Sequence, residues 1–130
     1  MFRRYEDKVK TGINAAAASI AAGNIIQVKN AKKITAIFTR AGHASGSGLF
    51  EIYGSIDGAT FVALPLTEFV ANTNSQTLTR ELSTSLASSS SVLRAVEELF
   101  CGVNFIYVKY TKTTDGTGTA ELMIDDDLMS

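Results

Sequence analysis

The stretch Gly48-Leu49-Phe50-Glu51-Ile52-Tyr53-Gly54-Ser55-Ile56-Asp57-Gly58-Ala59-Thr60-Phe61-Val62-Ala63-Leu64 decides the fold. Phe50, Ile52, Gly54 and Ile56 fall on one face of an extended segment and Glu51, Tyr53, Ser55 and Asp57 on the other, the two-residue period of a half-buried strand. Asp57-Gly58 has the chemistry of a two-residue hairpin turn, because Gly lacks the Cβ that clashes at positive φ and Asp tolerates that region. Residues 60–64 are then expected to return as the partner strand. Burying Phe50, Ile52 and Ile56, at roughly 1.5–3 kcal/mol per side chain, would put this hairpin at the centre of a core.

Working outward, similar patterns recur on both sides. Ile34, Ala36 and Phe38 alternate with Thr35, Ile37 and Thr39, predicting a largely buried strand over residues 33–40. Upstream, residues 25–29 are strand-like and residues 30–32 form a turn. Residues 41–48 are small, polar and Gly-rich, which suits a surface loop into the hairpin. Toward the C-terminus, Phe105-Ile106-Tyr107-Val108-Lys109-Tyr110 is strongly β-forming, with Ile106, Val108 and Tyr110 on one face and Phe105 and Tyr107 on the other. Residues 113–118 supply a second Asp-Gly turn, and Ala120, Leu122 and Ile124 face one way on the return strand. Between these blocks, Pro65 marks residues 67–70 as a short edge strand. Residues 72–75 form a turn, residues 76–82 alternate weakly, and residues 83–91 form a Ser-rich loop.

Two segments are open between helix and strand. Ala15 to Ala22 has the composition of a helix but no large apolar face, and it stops at Gly23-Asn24. Over residues 91–100, Leu93, Val96 and Phe100 would share a helical face behind a Ser cap, whereas an all-β context favours a strand. The expected fold is therefore all-β: an antiparallel β-sandwich or jelly roll of about seven to eight strands, with a short helix as the alternative for one of these segments. Residues 12–130 form one domain, of a size that needs neither metal nor disulfide to hold a core. Residues 1–11 mix charges with Phe2 and Tyr5 and show no apolar period. They read as an N-terminal arm, either frayed or ordered on a neighbouring subunit, with Phe2 and Tyr5 as anchors and Arg3 and Arg4 as polar clamps.

Composition narrows the chemistry. With 12 basic and 13 acidic residues the net charge is −1, giving no excess for a nucleic-acid groove or an anionic membrane. The single Cys101 cannot form an intramolecular disulfide and reads as a small buried hydrophobe. The longest apolar run is too short and Ala-rich to cross a bilayer, and acids stand where a secretory leader has none, so synthesis in the cytoplasm is expected. His43 is the only histidine, with no partner at a catalytic or metal-binding spacing. Glu97-Glu98 project apart in either helix or strand, and Asp125-Asp126-Asp127 lack the spaced oxygens of a calcium loop and read as a solvated acidic tail. Tyr5, Tyr53, Tyr107 and Tyr110 could stack on sugars or bases, but some must fill the core. No enzyme, cofactor or metal is expected.

The segments Phe50-Glu51-Ile52-Tyr53-Gly54-Ser55-Ile56-Asp57-Gly58-Ala59-Thr60-Phe61 and Phe105-Ile106-Tyr107-Val108-Lys109-Tyr110 resemble two groups. One is the small β-sandwich accessory proteins of tailed bacteriophage virions, capsid decoration and tail proteins. The other, more weakly, is the discoidin-like jelly roll, whose members usually carry tryptophans and a disulfide that this chain lacks. The first resemblance implies a non-enzymatic virion structural protein, an auxiliary capsid protein contacting the major capsid protein or other virion proteins, with homo-oligomerisation and with Phe2, Arg3, Arg4 and Tyr5 as contact residues. It implies a location in the virion after synthesis in the host cytoplasm. A tail or adhesion component, or a carbohydrate-binding module, is the alternative.

Overall fold

The computed structural model describes residues 2–5, 13–14, 25–41, 47–71, 76–86, 90–96, 99, 102–112 and 117–127. These contain β1 (Phe2–Tyr5), β2 (Ile13–Asn14), β3 (Ile26–Gln27), β4 (Lys33–Ala41), β5 (Gly48–Ser55) and β6 (Val62–Ala63). They continue with β7 (Leu66–Ala71), β8 (Gln76–Glu81), β9 (Thr84–Leu86), β10 (Ser90–Val96), β11 (Phe105–Lys112) and β12 (Thr117–Asp125). The first sheet runs β1-β12-β4-β10-β7-β8 and the second β2-β11-β5-β6, with β3 also pairing β11 and β9 also pairing β5. Every described pairing is antiparallel except β2 on β11.

The fold is thus all-β, a sandwich of two sheets. Ile34, Ala36 and Phe38 of β4 and Ala120, Leu122 and Ile124 of β12 form one wall of the core. Phe50 and Ile52 of β5 and Ile106, Val108 and Tyr110 of β11 form the other. These are the alternating apolar sets that the sequence marks. The strand number exceeds the expected seven to eight because four strands, β2, β3, β6 and β9, are only two or three residues long, below the length at which alternation is readable.

The open choice between helix and strand is settled over residues 91–96, and several other expectations are corrected. Among the described residues there is no helix, and residues 90–96 are a strand in register with β4, from Ser90 opposite Arg40 to Val96 opposite Ile34. Seven cross-strand pairs there outweigh a local pattern that suits a helix. β7 is an interior strand between β10 and β8, with Pro65 just outside it, where a missing N–H costs no ladder bond. Thr84–Leu86 pairs with β5 inside the presumed Ser-rich loop. The second Asp-Gly turn closes no hairpin: β11 pairs with β5 in one sheet and β12 with β4 in the other. Turn chemistry fixes that the chain reverses, not which sheet it rejoins.

The central hairpin is looser than its sequence suggests. β6 pairs only at Tyr53–Ala63 and Gly54–Val62, which leaves residues 56–61 as a six-residue loop instead of a two-residue turn. Gly58 has the positive φ, +80°, while Asp57 does not. Because the strand ends at Ser55, Ile56 leaves the core face and is 71% exposed.

The acidic C-terminus is also not a solvated tail. Asp126 is fully buried, and its Oδ2 accepts the Lys29 N–H at 3.1 Å. Asp127 pairs with Lys32 at 2.9 Å and accepts from the Asn30 side chain at 3.0 Å. The Asp127 N–H donates to the Lys29 carbonyl and the Lys32 N–H to the Asp125 carbonyl. The run of acids therefore ties the end of β12 to the 29–32 turn, in which Asn30 adopts φ +51°. The Lys32 ammonium and the Asn30 amide hold the Asp127 carboxyl below its ordinary value, and Asp127 in turn raises Lys32. The share from Asp127 is present above the unfolded value near 3.8 and is lost as pH falls through its lowered value. The share from Lys32 is present below 10.5 and is lost as pH rises through its raised value. The Lys29 and Asp127 amides are therefore expected to keep level hydrogen-exchange protection, corrected for intrinsic rate, between those limits. Loss of protection well inside that window would show that the ion pair does not hold the turn.

Candidate functional site

A concavity lies where β5 runs out into the 56–61 loop. It is an open groove of about 350 Å³ lined by Gly54, Ser55, Ile56, Asp57, Thr60, Val62, Leu64 and Val103. Gly54 forms part of its floor, since a Cβ there would stand 3.1 Å from Leu64 and 3.3 Å from Val103. Val103 is fixed by the following residue: the Asn104 N–H donates to the Ser55 carbonyl, and the Asn104 carbonyl accepts from Val28, both at 2.9 Å. The exposed side chains of Ile56 and Val62 stand at the groove's rim.

The loop over the groove is built by one carboxylate. Asp57 Oδ1 accepts the N–H groups of Ala59 and Thr60, each at 2.9 Å, and the Ser55 hydroxyl at 3.1 Å, while Ser55 Oγ accepts from Gly58 at 2.9 Å. These donors, the Thr60 N–H foremost, hold the Asp57 carboxyl below its ordinary value near 3.8. Its contribution is present above that value and is lost as pH falls through the lowered one. Asp57→Ala is expected to speed hydrogen exchange at the Ala59 and Thr60 amides at least tenfold while leaving the β5–β11 amides protected. Unchanged exchange would mean that the loop holds its shape without the carboxylate.

A second surface lies on the outer face of the first sheet. Leu93 stands directly opposite Ile37, and Met123 lies two residues from Glu121, the partner of Ile37 on the other side. All three apolar side chains are exposed. Beside Ile37 and Met123 lies a hollow of about 160 Å³, also lined by Thr35, Glu121 and Leu122.

The residues singled out in the sequence fall elsewhere. Phe2, Arg3, Arg4 and Tyr5 form β1, opposite Asp125, Ile124, Met123 and Leu122 respectively. The expected arm therefore begins as an edge strand of its own sheet, and Arg4 shares the register position of the exposed Met123. His43, Glu97, Glu98, Cys101 and residues 15–22 lie outside the described residues. Tyr107 and Tyr110 are buried, and Tyr53 donates to Glu51 Oε2 at 2.8 Å, its phenol pushed up to about 12 by burial and then by that bond. None of the three lines the groove. Among the described residues no group of three or more His, Cys, Asp or Glu is placed to hold a metal ion. The groove was missed in the sequence because Ile56 reads as a core residue and Val62 as part of the returning strand over residues 60–64. Their positions on either side of a glycine-containing turn were the available signal. No protein-family model, curated protein or solved structure matches the chain.

Proposed function

We propose that this protein is a non-enzymatic structural protein of a bacteriophage virion, an auxiliary capsid (decoration) protein that acts through contacts with the major capsid protein or its neighbours. The observation that carries this reading is the group of exposed apolar residues Leu93, Ile37 and Met123 on paired strands of one sheet. Exposed apolar residues scattered singly need no explanation, but three neighbouring ones on one sheet face suit burial against a partner. Copies bound around a symmetric shell add many such contacts, so a weak single contact suffices. The glycan-binding alternative has less support, since the groove's lining carries no aromatic ring.

Quantitative mass spectrometry of purified particles tests the proposal. A copy number equal to that of the major shell protein, or a simple fraction of it, is the expected result. A few copies per particle would move the protein to the tail or adhesion apparatus, and its absence from particles would overturn the virion reading. The contact face is tested separately with Leu93→Asp. Leu93 is 62% exposed but stands opposite Ile37, so stability should fall by only about 1 kcal/mol. Particle binding should weaken at least tenfold, and unchanged binding would remove this face from the interface.

A further inference from the structure

β6 lies at the edge of the second sheet, and its backbone polarity can be read from the ladder. The Leu64 N–H donates to the Ile52 carbonyl at 2.8 Å, and Val62 stands opposite Gly54. Residues of an antiparallel strand alternate between facing the partner and facing away. The N–H and C=O of Ala63 therefore point away from β5, and no strand lies on that side among the described residues. Val62 beside it is 63% exposed and Ala63 itself is partly exposed. Pro65 has no N–H and ends it after a few residues. Immediately next to this short edge lies the apolar groove floored by Gly54, Leu64 and Val103, and Asp57 is the only charged residue among its eight lining residues.

We propose that the β6 edge and this groove bind a short extended segment of a partner protein, seating one apolar side chain in the groove and a Lys or Arg two residues along beside Asp57. Main-chain bonds to Ala63 hold the segment, and alternate side chains on one face meet the groove, which is how added strands obtain affinity and specificity together. Charge complementarity selects the cation: the groove offers a single anionic side chain at an otherwise uncharged rim. The inference goes beyond the virion reading, because it holds for whatever protein carries such a segment.

The test uses the full chain and a synthetic seven-residue Thr-rich peptide with one valine and a lysine two positions later, followed by amide NMR shifts. Saturable shifts at Phe61 and Ala63 are expected, and replacing the peptide's valine with aspartate should abolish them. Ala63→Pro removes the outward N–H at a position where the sheet's own ladder does not use it, and should weaken binding about fivefold or more. Val62→Asp, at an exposed site, should do the same and keeps the test decisive where the proline variant does not fold. Equal binding by the valine and aspartate peptides, or by Val62→Asp and the parent chain, would overturn the proposal. So would a concentration-dependent dimer that buries Ala63 in the absence of peptide, which would give the edge to a second copy instead.

Discussion

Phe50→Ala is expected to lower stability by about 3–5 kcal/mol. Phe50 has no solvent exposure, and its ring stacks on Phe38 at 4.6 Å and 15° and meets Tyr110 at 4.7 Å and 44°. Phe38 belongs to the first sheet, whereas Phe50 and Tyr110 stand directly opposite each other in the second. Removing the middle ring therefore opens a cavity between layers that are each pinned by their own ladders and cannot close it. Domains of this size are stable by about 5–15 kcal/mol in total, so the melting temperature should fall by about 10–20 °C. Chemical denaturation with matched m-values is the measurement. A loss under 1 kcal/mol would mean that the rings do not join the two sheets. Val62→Ala is the control, because its side chain is largely exposed and should change stability by no more than about 0.5 kcal/mol.

That prediction rests on a pattern legible in the sequence, and the contrast with what was not legible is physical. Phe50, Ile52, Phe38, Ile106, Val108 and Ile124 were readable because a residue's parity within a strand decides its face, and parity is local. Sheet membership is not local. Strands β11 and β12 look like the two arms of one hairpin but belong to different sheets, since β12 pairs with β4, far earlier in sequence, as in the Ala120–Phe38 pair. Arg40 is buried for the same reason: parity places it on the core face of β4, where its Nη1 donates to the Leu86 carbonyl at 3.2 Å, and nothing near Arg40 in sequence announces Leu86. The same holds for Asp126 and Asp127, whose partners Lys29, Asn30 and Lys32 lie 95–97 residues earlier in sequence. The candidate groove was the least legible feature, because it exists only where β5 stops pairing after Ser55, and strand ends follow from tertiary fit.

Gly118→Ala and Gly48→Ala are expected to destabilise by about 1–3 kcal/mol each, against the usual sign for such a change. In an ordinary strand, Gly→Ala at a compatible backbone conformation stabilises by about 0.5–1 kcal/mol by restricting the unfolded chain. Neither glycine has positive φ, so the backbone gives no reason to retain them. The reason is Tyr110: a Cβ at Gly118 would overlap the ring near its Cγ, and a Cβ at Gly48 would overlap the ring near its hydroxyl. Gly118 is fixed opposite Arg40 in the first sheet and Gly48 opposite Lys112 in the second, so neither backbone can retreat and the added methyl becomes overpacking. The Tyr110 hydroxyl is buried without a hydrogen-bond partner among the described residues. Tyr110→Phe should consequently be neutral or more stable by about 1–2 kcal/mol, which separates the ring's packing from its polar end. Combining Gly118→Ala with Tyr110→Leu should be less damaging than the sum of the two changes, with a coupling of about 1–3 kcal/mol. A stabilising Gly118→Ala, or strict additivity with Tyr110→Leu, would show that the ring does not lie between the two glycines.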